Sequence, residues 1–124
     1  MRSSAKNLPS AADSILFYGF VKKWQAKLSL GDWRIEQGIK PAKHAMASVE
    51  FNPAARLCTY RLGDFGAEQI TEKSLEATVI HELLHVLLFD LIQTATNKHT
   101  DEELEAAEHR VINVLEQILK ATHD

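Results

Sequence analysis

A run of five residues, His81-Glu82-Leu83-Leu84-His85, combines two imidazoles and a carboxylate at a spacing that chemistry can use. On a helix, side chains four apart lie one above the other, about 6 Å apart along the axis, and the glutamate falls within roughly 100° of both. Two neutral imidazoles so placed chelate one divalent cation, zinc foremost, while the carboxylate reaches a water on that cation. The surroundings sharpen this reading. Eight of the eleven residues from 79 to 89 are large and apolar, which predicts a helix buried on nearly all sides. Polar groups buried there without partners are costly, so something must meet them.

A catalytic zinc site takes a third protein donor and keeps one position open. The extended form of the motif would place a glycine and a third histidine where Leu88 and Leu91 stand, so that class is excluded. The donor must come from farther along. The last predicted helix has an apolar stripe of Leu104, Val111, Leu115 and Ile118, and Glu108 falls on it between 104 and 111. Glu108 is therefore the first candidate, with Glu105, His109 or an aspartate elsewhere as alternatives. Glu102 and Glu105 lie off the stripe and read as solvated charges that complement the helix dipole. Tyr60 and His109 are candidates to stabilise an oxyanion. His44 and His99 fall in predicted loops and His123 in the tail, where a solvated surface role is the expectation.

Several elements must position these groups. Ser10 with Asp13 marks the start of a helix over residues 11–29, with Phe17, Phe20, Val21, Trp24 and Leu28 at helical spacing and Gly31 as the stop. The period then changes to two. Trp33, Ile35, Gln37 and Ile39 predict one strand with a buried face, residues 45–51 a second, and residues 57–62 a third. The short turn at Asn52-Pro53 makes the last two an antiparallel hairpin. Thr71 caps the motif helix, with Ile70 placed to staple onto Leu75, and that helix runs to about residue 92. Thr100 and Glu103 form a capping box that opens a final helix to about residue 120. The expected fold class is α+β: one domain over 1–124, with residues 1–9 as a loose lead-in.

The 124 residues include 14 lysines and arginines against 17 acids, 45% hydrophobic residues and one cysteine. That is an ordinary globular composition with room for a core. A net charge of -3 gives no basic surface for a nucleic acid. No apolar run is long enough to span a membrane. Cys58 alone forms no intramolecular disulfide and reads as a small buried hydrophobe, which points to a reducing, cytoplasmic setting.

The helix carrying His81-Glu82-x-x-His85, followed by a glutamate on the next helix, resembles the gluzincin branch of the zincin metallopeptidases. The small size and the element order are similar to the minimal zincin-like proteins of phages and prophages and to the minigluzincins. The likeness is specific over residues 72–92, looser over 101–120, and architectural over 11–62. It implies that His81, His85 and Glu108 bind Zn2+ and that Glu82 is general base and acid in peptide-bond hydrolysis by a metal-activated water. It also implies a peptide or protein substrate, added in extended form along a sheet edge, for which residues 45–51 are the expected strand. The alternative is a non-catalytic, zinc-stabilised module that keeps the fold and binds partners. The sequence favours the enzyme, because a purely structural zinc site has little use for Glu82.

Overall fold

A computed structural model describes residues 6–96 and 98–123, the last three as backbone alone. The elements run α1 (Ala11–Lys27), β1 (Arg34–Gln37), β2 (Ala47–Asn52), β3 (Leu57–Leu62), α2 (Glu72–Ala95) and α3 (Asp101–His123). The fold is α+β, with three helices and one small open sheet. Among the described residues, no helix is long and apolar enough to cross a membrane.

The expected caps are present. The Asp13 amide donates to Ser10 Oγ at 3.1 Å and the Ser10 amide to Asp13 Oδ2 at 2.9 Å. Together they satisfy two of the free donors at the head of α1. The stop of α1 differs from the expectation. The chain turns at Ser29, whose φ of 57° is left-handed, two residues before Gly31.

The sheet has the order β1-β3-β2, with β1 parallel and β2 antiparallel to β3. The predicted hairpin is therefore found, and its turn is a short 3-10 segment, Pro53–Ala55, capped by Asn52. The first strand is shorter than expected. Trp33 and Ile35 are buried, but Gln37 is exposed and Ile39 lies wholly in solvent at 103%. Past Gly38 the chain leaves the ladder, so alternation no longer governs what is buried. It crosses the end of β3 to reach β2, held by the Ala42 amide on Leu62 O at 3.0 Å and the Gly63 amide on Met46 O at 2.8 Å. Position 63 must be glycine there, since a Cβ would stand 2.2 Å from Ala45 O.

α2 lies at the centre, packed against α1, α3 and β2. Its Leu75, Val79, Ile80, Leu83, Leu84 and Val86 are buried with Phe17, Val21 and Trp24 of α1 and Ile35, Cys58, Tyr60 and Leu62 of the sheet. Two polar clamps fix its position. Near its start, Glu76 accepts from Lys23 Nζ at 2.7 Å and Trp24 Nε1 at 2.8 Å. Near its end, Arg56 reaches Asp90 at 3.0 Å while also pairing with Asp32 and lying over the Trp33 ring. A helix held at both ends by the rest of the fold presents its middle, residues 81–85, in a fixed orientation.

The stripe of α3 is turned by one residue from the expected one. Ile112 is fully buried, and Leu115 and Leu119 pack against the core, whereas Val111 and Ile118 are exposed at 45% and 55%. The face that meets α2 therefore follows 108, 112, 115 and 119. Glu108 stays on it, and Glu116 now borders it.

Candidate metal centre

Thr71 and Ser74 cap α2 reciprocally, with the Ser74 amide on Thr71 Oγ1 at 3.0 Å and the Thr71 amide on Ser74 Oγ at 2.9 Å. Two turns further on come His81, Glu82 and His85, half-buried in an otherwise apolar stretch. The imidazoles of His81 and His85 lie with ring centroids 5.2 Å apart. His109 of α3 closes on both, at 4.8 Å from His85 and 5.8 Å from His81. One donor atom from each of these three histidines lies within 4.8 Å of the others.

Acidic side chains of α3 meet the same rings. Glu108 Oε2 is 2.9 Å from His85 Nδ1, and Glu116 Oε1 is 3.1 Å from His81 Nδ1. The His109 Nδ1–H donates to the carbonyl of Glu105 at 3.0 Å. Burial first, with the neighbouring His81 and His109 rings, lowers the pKa of His85 against the opposing pull of Glu108. A neutral imidazole is the form that has a lone pair to give.

Glu82 stands apart from this network. No hydrogen bond or ion pair to its carboxylate occurs among the described residues. Burial first, and the charge of Glu116 second, push its carboxyl up to about 8. A half-buried carboxylate beside two imidazoles and a second carboxylate has the chemistry of a group that awaits a cation or a water. The donor set fits zinc: imidazole nitrogens and carboxylate oxygens converging from two helices.

Two adjoining hollows flank the centre. One, of about 600 Å³, is lined by Ala47, Val49, Phe51, His85, Phe89 and Glu108, among others. The other, of about 390 Å³, runs past Met46, Glu68, Thr78, Glu116 and Lys120. His81, Glu82, Ala45 and Ala47 line both, so the motif sits where they meet. Phe51 and Phe89 stack at 4.3 Å on the wall, backed by Trp33 at 5.5 and 5.4 Å. β2 is an edge strand of the sheet, and its residues 47–49 and 51 face this groove.

The structure thus brings His81, Glu82, His85 and Glu108 together and adds His109 and Glu116. Glu105 lines the wider hollow while remaining exposed. Tyr60 does not belong to the site. It is 1% exposed, its ring centroid is 5.2 Å from that of Phe17, and burial pushes its hydroxyl up to about 12. Cys58 is buried as expected, its thiol raised to about 12 by burial and by the charge of Glu82. His44 and His99 are exposed. The side chain of His123 lies outside the described residues. The apolar spacing through Val111 and Ile118 gives no signal for Glu116; the buried face through Ile112 places it one turn beyond, on the flank towards α2.

Fold and donor set together define an α+β domain with a candidate metal centre on its central helix. Neither a protein-family model nor a curated protein matches the chain. Among solved structures, it is similar to the metallopeptidase zymogen jannalysin of Methanocaldococcus jannaschii. The TM-score is 0.40 and the identity 20%, covering 93% of this chain and 97% of that one. A likeness at that level leaves the functional reading to this chain's own residues.

Proposed function

We propose that this chain is a zinc-dependent peptidase whose metal is held by His81, His85 and Glu108. The observation that carries the reading is the meeting of two imidazoles, an α3 carboxylate and the unpaired Glu82 at the floor of one groove. Two donors on one tetrahedral zinc at 2.0–2.1 Å lie about 3.3 Å apart. Glu108 Oε2 stands 2.9 Å from the His85 ring at Nδ1, so the carboxylate already lies beside an imidazole with which it would share the cation. His109 supports a second reading, since its ring joins the other two and its Nδ1 is already committed to Glu105 O.

Zinc in such a site lowers the pKa of a water to about 7 and polarises a carbonyl. Glu82 then has the work of a general base and acid: it accepts a proton on its carboxylate and returns it to the leaving nitrogen. Its place on α2 between the two motif histidines puts the carboxylate beside the water such a cation would hold. The free edge of β2 offers backbone donors and acceptors to an extended peptide, and Phe51 and Phe89 offer an apolar wall to its side chains.

The test is elemental analysis beside a peptide-library digest. Glu82→Gln should keep one zinc per chain and lose about 10²–10⁴-fold in cleavage rate. Cleavage at the parental rate removes Glu82 from the mechanism. A parent that holds zinc and cleaves nothing is a zinc-stabilised binding module. Zinc lost on Glu108→Ala and kept on His109→Ala supports the carboxylate as third ligand, and the reverse supports the imidazole.

A further inference from the structure

The sheet has a second hollow, on the face turned away from α2. Ala47, Cys58, Tyr60 and Leu62 point into the core, so the pleat sends Ser48, Glu50, Thr59 and Arg61 to the other side. A hollow of about 370 Å³ there is lined by Lys40, Pro41, Lys43, Ser48, Glu50 and Arg61. Its floor is fixed. The Arg61 guanidinium donates to Glu50 Oε1 at 2.9 Å and to the carbonyl of Lys40 at 3.2 Å. A Cβ on Gly38 would stand 2.6 Å from Arg61 Nη1, so the guanidinium lies flat against that glycine. Glu50 thus meets the charge of Arg61. Lys40 and Lys43 are exposed, and neither ammonium has an ion-pair partner among the described residues.

Ser48 lines both this hollow and the wider groove of the metal centre, because it lies on the open edge of β2, where the two faces meet. A peptide added to that edge continues the pleat. Its side chains beside Ala47, Val49 and Phe51 enter the groove, and those beside Ser48 and Glu50 point to the outer face. The two faces differ in charge. Glu82, Glu105 and Glu108 line the groove, whereas the outer hollow sets three cations against one carboxylate. A carboxylate of the peptide beside Ser48 meets the two lysines over a small residue. Two residues along, it meets the like charge of Glu50.

We infer that the outer side of β2 at Ser48 is a subsite for an aspartate or glutamate side chain of an extended peptide, selected by Lys40 and Lys43. The inference rests on the peptidase reading above and names its substrate class: peptides with an acidic residue at one outward-facing position.

The test uses the full zinc-loaded chain and peptides in which Ala, Asp or Lys is stepped through each position around the cleaved bond. In the parent, Asp at one position should raise kcat/KM about 2–10-fold over Ala. Lys there should lower it, and Asp two residues along, beside Glu50, should gain nothing. The preference should shrink as salt is raised. In the double variant Lys40→Gln with Lys43→Gln, the Asp-to-Ala ratio should fall to about 1, and in Lys43→Glu the Lys peptide should be preferred. The ratio is read within each protein, so a change in folded fraction cancels. A ratio that the double variant leaves unchanged overturns the inference. So does an equal gain from Asp at every position, which is long-range attraction alone. A parent that cleaves no peptide removes the peptidase reading instead. Anisotropy of the same peptides, dye-labelled, then decides the subsite: tighter binding of the Asp peptide, lost in the double variant, supports it, and any other result overturns it.

Discussion

The side of the molecule where α1 packs on α2 and the seam where α3 packs on α2 satisfy their burial in different ways. α1 contributes Phe17, Val21 and Trp24, all buried, and its polar link to α2 includes Lys23 and Trp24 on Glu76, one cation and one indole N–H on one carboxylate. That interface is complete with protein atoms. At the seam, Ile112, Leu115 and Leu119 supply a thinner apolar contact, and three imidazoles face Glu82, Glu108 and Glu116. Three acids and three imidazoles gathered there, with Lys120 in the same hollow as Glu82 and Glu116, make a cluster of donors rather than an apolar seal. The difference separates a seam closed by apolar packing and one polar clamp from a seam where imidazoles and carboxylates converge.

The largest effect that bears on this division comes from the scaffold. Phe17→Ala should cost about 3–5 kcal/mol of unfolding free energy, because it empties a fully buried aromatic site against Tyr60. The loss should be the same with and without chelator. Removing metal from the parent should lower stability by less, and the amides that gain hydrogen exchange should be those of α3 rather than those of α1 or the sheet. Urea titrations with and without chelator, followed by exchange mass spectrometry, measure both. Equal loss of protection in α1 and α3 on chelation would break the comparison.

The scaffold was also the more legible part of the sequence. Ser10 with Asp13, and Thr71 as the cap of the motif helix, are local signals whose physics is complete within a turn, and the structure places them as helix starts. The 57–62 alternation held because β3 is the middle strand, so the burial of Cys58, Tyr60 and Leu62 follows directly from the pleat. Alternation failed at Gln37 and Ile39, since periodicity cannot reveal where a strand stops pairing. At the site, His81, Glu82 and His85 were legible because a single helix turn fixes their relation. The contact of Glu116 with His81 was not, because it depends on how α3 rotates against α2. Leu104, Val111, Leu115 and Ile118 form as good a stripe on paper as the one through Ile112. Tyr60 erred for a similar reason: a hydroxyl on a strand says nothing of whether it faces groove or core.

A smaller effect sharpens the claim that the scaffold is complete. Among buried side-chain polar atoms of the described residues, Tyr60 Oη lacks a hydrogen-bond partner. Leaving a hydroxyl so costs desolvation that nothing returns. Tyr60→Phe should therefore leave stability unchanged or raise it by about 1 kcal/mol, with peptide cleavage and zinc content unaffected. A fall in the urea midpoint of this variant would show that the hydroxyl is satisfied by a buried water, and that this side is not dry.

The smallest effect sets one carboxylate from each region against the other. Asp64, in the loop between β3 and α2, accepts from the Asn7 amide at 2.9 Å and the Gly66 amide at 2.8 Å. Those bonds hold its pKa below the usual carboxylate range. Glu103, at the head of α3, is lowered likewise by the Thr100 amide and hydroxyl. For both, the folded pKa lies under the unfolded value of about 4, so each contributes stability above that pH and loses it as pH falls through the folded pKa. Asp64→Asn should thus flatten the decline of global stability below about pH 4, because the loop it closes is part of the scaffold. Glu103→Gln should leave the global curve nearly unchanged and raise exchange in the first turns of α3 alone. Should the two substitutions flatten the thermal-unfolding curve equally, α3 unfolds only with everything else, and the seam is as firmly built as the rest.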